Sequence, residues 1–380
     1  MTLPSLKIGA LVAKTPIVQG GMGVGISLHR LAAAVAAEGG VGVIAGAMIG
    51  MREHDIAKDP IAANSRALAS ELKKAKELTD GIIGVNIMVA LTDFASLVRT
   101  SIAERADIIF SGAGLPMDLP KLLREVCEEK KEAFHTKLVP IVSSARAATI
   151  ICKKWLNRSD YLPDAFVVEG PKAGGHLGFK PEEIDDPQHA LETLVPQVVD
   201  AVKAFEDEHG KAIPVIAAGG VYSGDDIRRF LDMGAAGVQM GTRFVATEEC
   251  DADIRFKQAY VDAKEEDIAI IKSPVGMPGR AIKGRFLEAL EEGKRNFRCM
   301  FHCIHTCDPK ESPYCIASSL LNAMKGNLDR GFAFTGTNVF RINGITTVKE
   351  LMNSLQQEFD AAVTAAKSRF DNAVSKLSLA

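Results

Sequence analysis

The sequence predicts an α/β fold: a (β/α)8 TIM barrel with a helical lid segment inserted after its eighth strand. Three features point there. Eight short runs are almost continuously apolar, at residues 16–19, 41–45, 82–88, 107–110, 138–142, 165–168, 213–218 and 237–240. Helical patterns separate them, as at 28–38, 64–78, 119–133, 190–208 and 225–233. Glycine and polar residues gather at the C-terminal end of nearly every run. Strands buried on both faces of a parallel sheet lose apolar–polar alternation. Eight of them over roughly 240 residues suit a barrel whose usual size is about 250 residues. An open doubly wound sheet competes, but the count of eight and the glycine-rich run ends favour the barrel.

After the eighth run the character of the chain changes. Residues 248–267 are charged and helical, "KSPVGMPGR" is turn-rich, four cysteines crowd into 299–315, and an amphipathic helix begins near Thr347. The expected organisation is a barrel made of residues 1–247 and 336–380, with 248–335 as a helical lid that helps bind substrate.

The bulk numbers narrow the function. The 380 residues are 47% hydrophobic and 24% charged, with a formal net charge of -3. This composition is that of a globular protein. No basic excess or charge block calls for nucleic acid. The N-terminus lacks the pattern of a signal peptide. The apolar stretch "AAAVAAEGGVGVIAGAMIG" is interrupted by Glu38 and repeated glycines, and reads as a buried helix and strand rather than a membrane span. Seven cysteines, an odd number, do not resemble a secreted disulfide framework. A cytoplasmic protein acting on a small molecule is expected, with neither nucleic acid nor membrane as partner; a homo-oligomer is compatible with all of this.

Ligands of such barrels bind at the C-terminal strand ends. There the sequence places "QGGMGVG", "GVNIM" with Asn86, "SGAG", "EGPKAGGHLG", "AAGGVYSGDD" and "GTR". A dinucleotide fingerprint fails in the first, because Ile26 stands where the third glycine belongs. The strand-seven and strand-eight ends predict a phosphate site, with the N–H groups of Gly219, Gly220, Gly241 and Thr242 facing the anion. A helix starting after Ser223, with Asp226 completing something close to a capping box, is expected to add its N-terminal partial charge.

The segments "PIVQGGMG", "GVNIM", "VEGPKAGGHLGF", "IPVIAAGGV" and "GAAGVQMGTRF" resemble the nitronate monooxygenase family, formerly the 2-nitropropane dioxygenases. Enoyl-ACP reductase II belongs to the same superfamily. The resemblance spans about residues 15–246 and, more loosely, the last helix. It implies FMN in the barrel, with the flavin meeting Gly21, Met22, Asn86 and, near the ring, Gly175. It implies a phosphate resting on Ala218, Gly219 and Gly220 and on Gln239, Met240, Gly241 and Thr242. His176 falls on the family's catalytic histidine. Proton transfer at a carbon next to a nitro or thioester group needs a side chain that titrates near neutrality, and histidine is one. Glu169 is read either as its hydrogen-bonding partner or as a plain strand-end carboxylate, and Lys172 as a solvated loop charge.

The leading expectation is an FMN-dependent oxidoreductase that oxidises alkyl nitronates with oxygen through reduced flavin, giving a carbonyl compound and nitrite. The alternative on the same scaffold is an NAD(P)H-dependent reductase of enoyl thioesters or quinones. A flavin-free lyase or isomerase of phosphorylated substrates is the alternative from another class. One stretch, "RNFRCMFHCIHTCDPKESPYC", departs from the simple family pattern. Cys299, Cys303 and Cys307 recur every four residues and are expected on one helix face, with Cys315 returning after Pro309 and Pro313. Packing of that helix face is the favoured reading; an iron–sulfur cluster, a zinc site and a redox-active thiol pair stay open.

Overall fold

The computed structural model describes residues 2–293 and 297–377. Residues 294–296 of the expected lid and 378–380 of the expected barrel lie outside the described residues. All eight apolar runs are strands. In chain order they are Ile17–Gln19, Gly42–Ala45, Ile83–Met88, Ile108–Gly112, Lys137–Val142, Phe166–Glu169, Val215–Ala218 and Gly237–Met240. From the second onward each pairs in parallel with the next, and the eighth pairs with the first. A bridge between Val18 and Val41 closes the ring, with the Gln19 amide donating to the Val41 carbonyl at 2.9 Å. The result is a TIM barrel.

A hairpin, Leu6–Ile8 with Leu11–Ala13, covers the N-terminal mouth. Leu6, Ile8 and Ala13 pack there against Val18, Phe110 and Val139 in one buried cluster. That end of the barrel is filled by side chains, so the opening for a ligand is at the other. Helices between the strands start where their first amides find an acceptor. Asp59 caps Pro60–Leu78 by accepting from the Ala62 amide, and Ser144 caps Ala145–Ser159 by accepting from Ala147.

The chain leaves the barrel after the short helix Thr242–Val245 and returns beside its own exit. Thr247 and Thr346 form a parallel bridge, and the Glu248 amide donates to the Thr346 carbonyl at 2.9 Å. Between these points lie the expected helices, Ile254–Asp262, Arg285–Glu291 and Ile316–Met324. They are joined by an element the periodicity did not reveal: an antiparallel hairpin, Ile268–Lys272 with Pro278–Ile282. "KSPVGMPGR" is its turn and second strand. The last helix, Val348–Leu377, lies against Gly224–Asp232 so closely that a Cβ on Gly224 would sit 2.1 Å from the Phe359 nitrogen.

The cysteine stretch corrects its expectation. No helix runs through Cys299, Cys303 and Cys307; the backbone is irregular, and His302 between them has a left-handed φ of 44°. A four-residue spacing is necessary for one helix face but does not supply a helix, and Pro309 and Pro313 limit how far one could extend.

Candidate active site

The C-terminal strand ends enclose a cavity of about 280 Å³. Gly21 and Met22 border it after the first strand and Asn86 from the third. Gly175 and His176 border it after the sixth, Ala218, Gly219 and Gly220 at the seventh, and Gln239, Met240, Gly241 and Thr242 at the eighth. The fold thus gathers every candidate residue into one place. Lys172 also borders the cavity, with an exposed side chain.

His176 is held by the inserted segment. Gly175–His176 forms a short strand that pairs antiparallel with Pro278–Ile282, so the hairpin and the histidine loop make one three-stranded sheet. Across this sheet the His176 Nε2 lies 2.7 Å from the Ser273 Oγ. Ser273 is buried, and its Oγ also accepts from the Val275 amide at 3.3 Å. The Phe334 ring meets the imidazole edge-on, with centroids 4.9 Å apart. Buried Arg280, on the same hairpin, donates to the carbonyls of Pro171 and Ala173, the latter at 2.7 Å. A lid strand therefore fixes the backbone before the histidine and the imidazole itself.

Burial pushes His176 down to about 4, because the low-dielectric site disfavours the imidazolium. The ring is neutral at pH 7. Burial pushes the neighbouring Glu169 carboxyl up to about 7, for the same reason acting on the opposite charge type. Ser273, not Glu169, is the partner of His176. Ser273 was not singled out from the sequence, which separates it from His176 by 97 residues.

The phosphate end is built from backbone. Gly219 and Gly220 have φ of +95° and +88°, a left-handed pair that L side chains rarely adopt. Among the described residues, the amides of Gly219, Gly220 and Gly241 donate to no other group of the chain. Such a concavity of free amides suits an anion. The returning chain closes over it: the Gly336 amide donates to the Thr242 Oγ1 at 3.0 Å, and the Asn338 Nδ2 donates to the Gly220 carbonyl at 2.8 Å. The residues present fit the phosphate of a nucleotide cofactor.

One expected contributor is removed. Ser223 does cap its helix, and Asp226 does complete a capping box. However, the helix's first amide, Gly224, donates to the Glu358 carboxylate of the last helix at 2.8 Å. A protein carboxylate already occupies that positive end, so it is not available to the cavity.

Comparison with known proteins gives the family. The family model described as nitronate monooxygenase matches residues 5–358. The chain belongs to the nitronate monooxygenase family. Among curated relatives, a Mycobacterium tuberculosis protein named (3aS,4S,5R,7aS)-5-hydroxy-7a-methyl-1-oxo-octahydro-1H-indene-4-carboxyl-CoA dehydrogenase is 30% identical over 280 residues, 74% of this chain and 66% of that one. The match thus spans just under two thirds of that relative. A Staphylococcus aureus protein named Probable nitronate monooxygenase is 28% identical over 304 residues, 73% of this chain and 78% of that one. FabK from Thermotoga maritima superposes with a TM-score of 0.71 at 28% identity, covering 94% of this chain and 96% of that one. Among the described residues, no helix is long and apolar enough to cross a membrane.

Proposed function

We propose that this family member is an FMN enzyme that oxidises alkyl nitronates, and the nitroalkanes from which they form, with oxygen as the final oxidant. The observation that carries this reading is the position of His176 at the cavity wall, its Nε2 held 2.7 Å from the Ser273 Oγ. The neutral imidazole keeps a lone pair for the α-proton of a nitroalkane, although burial sets it below the near-neutral titration expected from the sequence and so makes it a weaker base than a solvated histidine. Ser273 orients the ring, Phe334 and the hairpin restrict water around it, and the amides of Gly219, Gly220 and Gly241 hold the cofactor's phosphate. When bound, the flavin supplies the two-electron chemistry and the reaction with oxygen. Nitrite release from a nitronate and from its parent nitroalkane, followed aerobically with the yellow protein, tests the proposal. Turnover of neither substrate would overturn it.

A second reading is reduction of an enoyl thioester with NAD(P)H. Two observations favour it: the structural likeness to FabK over 94% of the chain, and Glu169, whose raised carboxyl still carries a proton close to neutrality. Oxidation of NAD(P)H dependent on an enoyl thioester, without nitrite release from nitronates, would establish it in place of the first. We place the protein in a reducing, cytoplasmic setting, because seven cysteines, an odd number with four crowded into residues 299–315, do not resemble a secreted disulfide framework.

A further inference from the structure

The cysteine stretch forms a site of its own, outside the chemistry just described. Its four thiols are only half-buried, whereas Cys127, Cys152 and Cys250 are buried. Packing accounts for the buried three. It accounts poorly for four half-buried thiols gathered on irregular backbone. Cys299, Cys307 and Cys315 lie near enough to Cys303 to act on its charge, and Cys299 and Cys307 act likewise on Cys315.

The loop that carries them is anchored. The Thr92 amide donates to the Cys303 carbonyl and the His305 amide to the Ala90 carbonyl, each at 3.1 Å, and the Thr306 hydroxyl donates to the Val275 carbonyl at 3.2 Å. Cys315 stands at the N-cap of Ile316–Met324, where its carbonyl accepts from the amide and the hydroxyl of Ser319, each at 3.0 Å. Beneath the group, Cys303 and Cys315 pack with Val24 and Leu320, and these two side chains also border the flavin cavity.

We propose that Cys299, Cys303, Cys307 and Cys315 ligate a four-iron, four-sulfide cluster, one side-chain layer from the flavin cavity. The convergence of thiols supplies the ligand number and the soft donors such a cluster requires. Their separation argues against a single zinc ion. Zinc–sulfur bonds of about 2.3 Å hold four thiolates in a tight tetrahedron. Among the described residues, no three of these sulfurs lie within 4.8 Å of one another. A cluster of several irons is a larger body and holds its thiolates further apart. On assembly each thiol loses its proton and forms one iron–sulfur bond. Two ferrous and two ferric ions with four sulfides and four thiolates balance without electron transfer.

The test uses the full chain, purified without oxygen and then reconstituted with equal ferrous and ferric iron and sulfide. Iron and acid-labile sulfide should each reach about four per chain, with an electron paramagnetic resonance signal after reduction. Cys303→Ser and Cys299→Ser should each lose most of the iron while keeping flavin and thermal stability in the unreconstituted form. Cys299→Ser guards against misfolding in the more deeply packed Cys303 variant. Stoichiometric zinc without sulfide, no bound metal after reconstitution, or full iron in both folded variants would overturn the proposal. Flavin content is read separately, so failure here is distinct from failure of the flavin assignment.

Discussion

The His176 Nε2 and the Ser273 Oγ, 2.7 Å apart, join a barrel loop to a hairpin of the inserted segment. This contact makes the histidine's orientation depend on the lid. Ser273→Ala should retain flavin and lower kcat on a nitroalkane by about fivefold, with little change in KM, since one oriented hydrogen bond is worth about 1 kcal/mol. Ser273→Thr, which keeps the hydroxyl, should recover much of the loss. Steady-state kinetics with flavin content checks this, and an unaltered kcat in the alanine variant would reduce Ser273 to a packing residue.

His176→Ala should also keep its flavin, because the imidazole is not part of the phosphate cradle. Turnover of a neutral nitroalkane should fall by about 10²–10⁴-fold, the usual range for general acid–base catalysis. A pre-formed nitronate needs no proton removed and should lose much less. The comparison of the two substrates isolates the proton step; equal losses on both would assign His176 to substrate binding instead.

What was legible in the sequence follows from burial. The eight strands lie buried on both faces, so their runs lacked alternation and could be counted. The cavity residues were legible because backbone approach requires glycine, as at Gly219 and Gly220, and such clusters stand out. Ser273 was not, because its hairpin is only half-buried, from Ile268 to Lys272, and weakly patterned. Its pairing with Gly175–His176 is set by tertiary contact. The cysteine helix failed for a related reason: spacing constrains faces of a helix already formed, and here the loop's backbone bonds go to Thr92 and Ala90 instead. The phosphate helix failed because Glu358, distant in the chain, takes its first amide.

Glu169 makes a prediction about stability. Burial raises its folded carboxyl to about 7 from the ordinary 4.5. The folded state therefore holds a proton that the unfolded state has released between these values, and stability falls as pH rises through that window. Glu169→Gln removes the titration. In the flavin-free protein, the variant should melt with the parent below pH 4.5 and above it at pH 7 and higher. His176 acts in the opposite direction: its contribution is lost as pH falls from 6.5 towards 4. Glu169→Gln leaves that acid limb in place. Parallel melting curves at every pH would show that Glu169 is not held protonated.

The phosphate cradle can be tested without straining the fold. At Gly220 a side chain would meet two obstacles, a φ of +88° and a Cβ 2.9 Å from the Lys172 Cβ. Gly220→Leu should lose flavin, but it should also destabilise the loop. Gly241 differs. Its φ of -113° is open to any L residue, and a Cβ there would first meet the Met22 sulfur at an ordinary 3.5 Å. Gly241→Leu should therefore keep the melting temperature of the flavin-free protein close to that of the parent. It should still lower flavin occupancy severalfold, because the leucine fills space beside the free amides. The released flavin from the parent should be the mononucleotide, identified by chromatography. Full occupancy in Gly241→Leu, with the fold intact, would move the phosphate away from the seventh and eighth strand ends.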